Sequence, residues 1–315
     1  MSVIEELTRL HTTNPTVMTV GMFDGVHRGH QYLIDCLKKE AAHQGFVSGV
    51  ITFTNHPRSV MLPKIHVPLL STPEDRLQLI ADQGVDLVVP LNFTLDLSYL
   101  SAKAFIELLR DALNMRELVV GPDFAFGYQR EGTTEVLARL GEEMGFGVKV
   151  VDPVKFDGLI VSSTAVRNRV QAGDMAGAAW MLTRPFSLSG LVVKGDQRGR
   201  QIGFPTANLD IQPDVTLPPD GTYATWAQAD GVTYKSATNI GVRPTFGSNS
   251  RQIETHIIDY DGDLYNTKIR VAFARKLREE VKFNAVDDLV NQLHEDVARA
   301  QTLLNEDESL LPPSW

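Results

Sequence analysis

Through the first 180 or so positions, short apolar runs alternate with stretches in which apolar residues recur at helical spacing. Runs at 17–20, 50–53, 87–91, 118–120 and 148–151 read as buried strands. Between the first two, Leu33, Ile34, Leu37 and Ala41 predict a helix over 31–44, stopped by Gly45. Ser101 predicts an N-cap for a helix over 102–111, and 134–144 reads as another. Strands alternating with helices predict an α/β unit with a parallel sheet covered on both faces. After Arg184-Pro185 the texture changes to strand-like segments at 188–193, 222–227, 232–236, 254–260 and 269–274. Asp230-Gly231 and Asp261-Gly262 are hairpin-turn signals, so this part predicts a small antiparallel β-barrel. A terminal helix over 285–304 carries Leu289, Leu293, Val297, Ala300 and Leu304 on one face, with Asn284 as its expected cap. The acidic tail 305–315, with Pro312-Pro313, is expected to fray. Domains 1–183 and 184–315 follow.

Composition narrows the function classes. With 315 residues, 43% hydrophobic, two domains can each bury a core. A net charge of −9 argues against nucleic-acid binding, although a local basic pocket for a small phosphate ligand is compatible with it. The lone cysteine, Cys36, allows no intrachain disulfide and reads as a small buried hydrophobe. Segment 1–15 is polar and does not read as a signal peptide, and no apolar run approaches the ~20 residues of a membrane span. A cytoplasmic location without membrane partners is expected.

Chemistry concentrates after the first strand, in Gly21-Met22-Phe23-Asp24-Gly25-Val26-His27-Arg28-Gly29-His30. Ligands of open α/β sheets sit beyond the carboxyl ends of strands, where the amides opening the next helix favour phosphate. His27 and His30 can both point into that turn and donate to phosphate oxygens, while Gly29 permits close approach. Phe23, Asp24 and Gly25 are expected beside the same phosphates. Two histidines near a helix start can also be surface or capping residues. Ser162-Ser163-Thr164-Ala165-Val166-Arg167 puts hydroxyls and a cation at a second helix start, a second phosphate cradle or a plain cap. Asp123, in Gly121-Pro122-Asp123-Phe124-Ala125-Phe126-Gly127, is a carboxylate between aromatics that can orient a ligand or belong to a structured loop.

No Walker-type phosphate loop occurs. The barrel-like part instead opens with Gly195-Asp196-Gln197-Arg198-Gly199-Arg200-Gln201-Ile202-Gly203, then Phe204-Pro205-Thr206-Ala207-Asn208. Gly195, Gly199 and Gly203 with Arg198 suit a loop folded over phosphates, or a wide hairpin. On an extended segment Thr206 and Asn208 face the same side, two neutral oxygen donors for Mg²⁺ beside ATP. Glu254 is read as an acid at the start of an apolar strand, either exposed there or a base for an alcohol attacking a γ-phosphate.

The first set of motifs resembles the FMN adenylyltransferase half of the bifunctional bacterial riboflavin kinase/FAD synthetases, over about 16–182. Phe204–Asn208, Asn239-Ile240-Gly241-Val242-Arg243-Pro244-Thr245-Phe246-Gly247, Glu254-Thr255-His256 and Leu277-Arg278-Glu279-Glu280 resemble the riboflavin kinase half, over about 186–304. The resemblance implies a Rossmann-like nucleotidyltransferase domain followed by the barrel, with ATP, riboflavin and FMN as substrates and Mg²⁺ as cofactor. It implies direct attack of the FMN phosphate on the α-phosphorus of ATP. His27 and His30 would hold ATP phosphates, with Ser163, Thr164 and Arg167 opposite and Asp123 near the substrates. In the second half it implies Thr206 and Asn208 at Mg²⁺–ATP, Glu254 as base for the ribityl 5′-hydroxyl and Arg278 near the flavin. Departures from the family's pattern include Asn55 for a proline, Ala125 for a polar residue and Ile160 for a basic one. Asn266 and Thr183 stand where glycines are usual.

H-x-G-H also occurs in class I aminoacyl-tRNA synthetases, but no KMSKS-like segment occurs here and an acidic chain suits tRNA poorly. Two rivals remain at this point, an adenylyltransferase with an inactive barrel and a flavin-binding regulator without turnover. Intact Thr206, Asn208 and Glu254 speak against the first. Both histidines and the acid speak against the second, since binding a flavin needs none of them.

Overall fold

The computed structural model describes residues 5–7, 11–62, 64, 67–195, 197–242, 251–283, 285–307 and 310, with Arg198 described in its backbone alone. The chain divides into two compact units, Met1–Ser163 and Thr164–Trp315.

The first unit is built on β1 (Thr16–Val20), α1 (Arg28–Gln44), β2 (Val47–Phe53), α2 (Pro73–Ala81), β3 (Leu87–Leu91), α3 (Ala102–Leu113), β4 (Met115–Val120), α4 (Thr134–Met144) and β5 (Gly147–Val150). The five strands form one parallel sheet in the order β3-β2-β1-β4-β5. Central β1 is buried along its whole length. Its alternate residues serve two cores. Met18 and Val20 join Ile51, Leu118 and the buried faces of α3 and α4. Val17 joins Val50, Val119 and the apolar stripe of α1. A strand buried on both faces is largely apolar at both parities, which is why it reads as a run, here interrupted by the buried Thr19. The strand order reverses between β1 and β4, and the crevice beyond their carboxyl ends receives the turn at 21–27. A small hairpin, β6 (Lys155–Phe156) with β7 (Leu159–Ile160), precedes the division between units.

Helix caps follow the local chemistry. Ser101 Oγ accepts from Ala104 N–H at 3.1 Å, as expected. Gly45 ends α1 in the left-handed conformation, φ 68°. Helix α1 starts three residues before the predicted position 31 because His27 caps it. Helix α2 escaped the periodicity, although Thr72 followed by Pro73 and two acids is a helix-start signature.

The second unit continues from α5 (Ser163–Gln171), which spans the division, into α6 (Met175–Leu182). Strands β8 (Phe186–Val193), β9 (Ala207–Asp210), β10 (Gly221–Ala229), β11 (Val232–Val242), β12 (Arg251–Ile257) and β13 (Lys268–Arg278) close an antiparallel barrel in the order β10-β11-β12-β9-β8-β13. Helix α7 (Val286–Glu306) docks outside it. Ala224, Ala237, Ala272 and Ala274 form a shallow strip that admits Ala300 and Leu304 of that helix. Alternate positions face inward, where Thr225, Ser236, Thr238 and Thr255 satisfy one another through hydroxyls 2.8–3.0 Å apart. Helix α6 packs on β8 and β13.

Asp230 and Gly231 both take positive φ between β10 and β11, the two-residue hairpin turn their sequence predicts. Asp261-Gly262 is not a hairpin turn. β12 pairs with β11 and β9, not with β13, so the segment is a crossing connection in which Gly262 makes room for the Tyr260 side chain. Glu254 is also not at a strand start but fourth in β12, half-buried and in register with Asn208. The expected Asn284 cap, the 243–247 segment and most of the tail lie outside the described residues. Thr183 and Asn266, at usual glycine positions, adopt φ of 64° and 61°. A left-handed backbone suits glycine there, tolerates asparagine and strains a β-branched threonine.

Candidate functional sites

The turn after β1 is wound tightly. Phe23, Gly25 and Val26 all have positive φ, 50°, 77° and 41°. Two non-glycine residues in the left-handed region within four positions is a local strain of the kind found at ligand clamps. The turn is anchored from outside. The Asp24 carboxylate accepts from the Leu70 and Ser71 amides at 2.9–3.2 Å. Ser71 Oγ accepts from Gly25 N–H at 3.1 Å, and Ser163 Oγ donates to the Asp24 carbonyl at 2.9 Å. Asp24 is 1% exposed, so its carboxylate holds the turn in shape.

This shape brings the two histidines together. Their rings stack with centroids 3.6 Å apart, and Phe23 lies 4.9 Å from His30. His27 Nδ1 accepts from the His30 amide at 3.3 Å, which places the ring proton of neutral His27 on Nε2 as a donor. Capping and ligand binding are thus compatible uses of one imidazole. Burial, then the neighbouring His27 and Arg76 charges, hold the His30 pKa well below the ordinary 6.5. His30 is a neutral imidazole at neutral pH, and its Nδ1 is shielded from solvent without a hydrogen-bond partner among the described residues. The space left by Gly29 is filled by the His27 ring and the Val161 carbonyl, where a Cβ would come within 3.2 Å of both.

Arg76, on α2, was not anticipated. It is 1% exposed and donates from one terminal nitrogen to the Phe53 carbonyl at the carboxyl end of β2. Among the described residues, its Nε and other terminal nitrogen have no hydrogen-bond partner. Burial lowers its pKa, opposed by the charges of Asp24 and Glu74. Positive charge is therefore stored behind the turn. Asn55 has a structural use, exchanging two hydrogen bonds of 2.7–2.8 Å with the Phe93 backbone. Asp123 is exposed in the loop after β4, and no described cavity includes it. Thr164 and Arg167 follow Ser163 along α5, with Arg167 Nη1 3.4 Å from Thr164 Oγ1.

The barrel carries two adjoining cavities. One, of about 430 Å³, is lined by Gly195, Thr206, Asn208, Thr255 and Tyr265. The other, of about 440 Å³, is lined by Glu254, Arg278, Phe283, Leu289, Leu293 and Asp296, and it shares Thr206 and Asn208 with the first. Thr206 and Asn208 thus face one side, as their spacing predicts. Thr206 Oγ1 is 3.5 Å from Glu254 Oε2. A Cβ on Gly195 would lie 2.5 Å from the Asn208 amide, so that glycine seats the carboxamide. Gly199 packs under the Phe204 carbonyl in the same way, and Gly203 turns the chain at φ 87°. Hydroxyl, carboxamide and carboxylate oxygens at the junction of a polar and an apolar cavity form a donor set suited to a hard cation beside a phosphate. The Arg198 side chain lies outside the described residues.

Asp296 was also missed. It is 3% exposed and binds Arg278 through Nε at 3.0 Å and Nη2 at 2.7 Å. An acid inside the otherwise apolar stripe of α7 was the available signal.

A family model for FAD synthetase matches residues 10–165, and one for riboflavin kinase matches 182–304. The bifunctional riboflavin kinase/FMN adenylyltransferase of Pseudomonas fluorescens is 38% identical over 300 residues, covering 93% of this chain and 96% of that protein. The protein so described in Escherichia coli K12 is 36% identical over 289 residues, covering 90% and 91%. A crystal structure described as a macrolide-efflux protein from Streptococcus pneumoniae superposes with a TM-score of 0.86 at 30% identity, covering 94% of this chain and 96% of that one. Among the described residues, no helix is long and apolar enough to cross a membrane.

Proposed function

Because the chain belongs to the bifunctional riboflavin kinase/FMN adenylyltransferase family, we propose that it makes FMN from riboflavin and ATP in its barrel, then FAD from FMN and ATP in its parallel-sheet domain. The functional boundary is assigned at 183/184, close to where the second family match begins. A cytoplasmic location suits an enzyme that draws on ATP twice.

For the kinase step, the carrying observation is the convergence of Thr206, Asn208 and Glu254 where the two cavities meet. Thr206 and Asn208 would hold Mg²⁺ with the ATP phosphates, and the ion supplies charge neutralisation during phosphoryl transfer. Glu254 orients the primary hydroxyl of riboflavin and accepts its proton as the oxygen attacks the γ-phosphate. The apolar side of the second cavity, with Phe283, Leu289 and Leu293, suits a flat ring system. Gly195, Arg198, Gly199 and Gly203 are assigned to the loop over the phosphates.

For adenylyl transfer, His27 donates from Nε2 and neutral His30 adds a second polar group where charge develops on departing pyrophosphate. Gly29 makes room for the His27 ring and the Val161 carbonyl, while Phe23, Asp24 and Gly25 hold the turn. Ser163, Thr164 and Arg167 are carried over as phosphate contacts on the matching segment, and Asp123 as a flavin contact. No covalent intermediate is required. Incubation of purified protein with riboflavin and Mg-ATP, followed by chromatography of the flavins, tests the whole assignment. FMN and FAD are expected. FAD only from supplied FMN would indicate an inactive barrel, and neither product a binding protein.

A further inference from the structure

Asp296 lies on α7 between Leu293 and Val297, in the stripe that faces the barrel. A carboxylate there is costly unless its lone pairs are filled. They are. Arg278 Nε donates to both carboxylate oxygens at 3.0 Å, Nη2 donates to Oδ2 at 2.7 Å and Gln292 Nε2 donates to Oδ1 at 3.1 Å. Arg278, the last residue of β13, is held a third way, with Nη1 donating to the Glu279 carbonyl at 3.0 Å. Its guanidinium carbon sits 5.8 Å from the centre of the Phe283 ring. Each of Arg278, Phe283 and Asp296 lines the cavity that contains Glu254.

We infer that Asp296 is a positioning residue for riboflavin phosphorylation, fixing the Arg278 guanidinium as one wall of the flavin cavity. The inference rests on the assignment of that cavity to riboflavin. A guanidinium gripped at two nitrogens has a fixed plane, which lysine cannot reproduce. The grip leaves one N–H on each terminal nitrogen for a ligand. It also cancels the cation's charge, so the wall presents oriented donors without net charge, as a neutral ring system requires. Because the partners come from β13 and α7, the wall exists only when the terminal helix is docked.

Steady-state phosphorylation of riboflavin by the full-length protein tests this, with FMN-to-FAD conversion as a control for the other domain. Asp296→Asn should raise the riboflavin KM roughly ten- to hundredfold, the scale of effect expected when a positioning group is lost. The Mg-ATP KM should change by no more than about twofold, and Asp296→Glu should recover part of the loss. Arg278→Lys keeps the opposite charges but not the fixed plane, and should raise the riboflavin KM with the melting temperature near wild type. That variant decides the matter if Asp296→Asn does not fold. An unchanged riboflavin KM in Arg278→Lys, or a loss in Asp296→Asn confined to melting temperature, overturns the inference. Glu254→Gln is measured alongside. If it phosphorylates riboflavin at the wild-type rate, the cavity assignment itself fails. If it is impaired while the Asp296 and Arg278 variants keep normal KM values, only the positioning role fails.

Discussion

Two residues carry the sharpest expectations, and they differ in how they were found. Glu254 was visible as a misplaced acid, and its neighbours Thr206 and Asn208 were visible as a spacing. Glu254→Gln should lower FMN formation by about 10²–10⁴ while FAD formation from FMN stays normal. Equal loss of both rates would indicate misfolding, and no loss would leave Glu254 a plain strand residue. His30 was visible as a motif, but its protonation state was not, because that depends on burial and on Arg76 from another element. His30→Gln should slow adenylylation by about 10²–10³. It should also change the pH dependence of stability. Above pH 6.5 folded and unfolded His30 are both neutral. As pH falls through 6.5 the unfolded chain binds a proton that the folded chain refuses, so stability is lost toward acid. Urea midpoints at pH 7.5 and 5.5 should therefore lie closer together in His30→Gln than in wild type, and an equal gap would contradict the buried neutral state.

At the scale of elements, most of the sheet was legible because central parallel strands are apolar on both faces and surface helices on one. The misses have physical causes. Helix α2 has a cap signature but only nine residues, too few for periodicity to stand out. β11 was expected to stop at 236 because its second half contains Asn239 and Gly241, which read as a motif and not as a strand. Asp261-Gly262 has turn chemistry, but closure of the barrel sends the next strand elsewhere. Asp296 and Arg76 became functional candidates only through partners brought by the fold. The glycine-rich loop makes a prediction of its own. In Gly195→Ala the new methyl displaces the Asn208 carboxamide, 2.5 Å away. The Mg²⁺ concentration for half-maximal kinase activity should rise several-fold, about 1 kcal/mol for a weakened oxygen donor, with the riboflavin KM little changed. A normal Mg²⁺ dependence would detach Asn208 from the metal.

For the molecule as a whole, the two family matches leave 166–181 to neither, and those residues form most of α5 and α6. Met175, Ala178, Met181 and Leu182 are buried, and α6 lies on β8 and β13. A fragment beginning at Phe186 would uncover that barrel surface, whereas one beginning at Thr164 keeps it covered. Both should phosphorylate riboflavin, and the longer should melt at the higher temperature, since removing several buried apolar side chains costs about 1.5–3 kcal/mol each. Equal melting temperatures would mean that α6 contributes nothing to the barrel, and absence of kinase activity in a folded Thr164 fragment would mean that the site is not contained there.

The docked terminal helix also sets an order of events during synthesis. Translation delivers the histidine turn early, and the sheet behind it is complete by residue 150. The cavity that contains Glu254 waits for α7, which supplies Leu289, Leu293 and Asp296, and the hydrogen bond from Trp226 Nε1 to the Leu310 carbonyl at 2.8 Å fastens the chain beyond that helix. A ribosome that stalls or shifts frame before residue 286 therefore releases a chain with every residue of the barrel strands but no finished pocket. Such a product would present the bare alanine strip of the barrel to solvent, an exposed apolar surface of the kind that promotes aggregation.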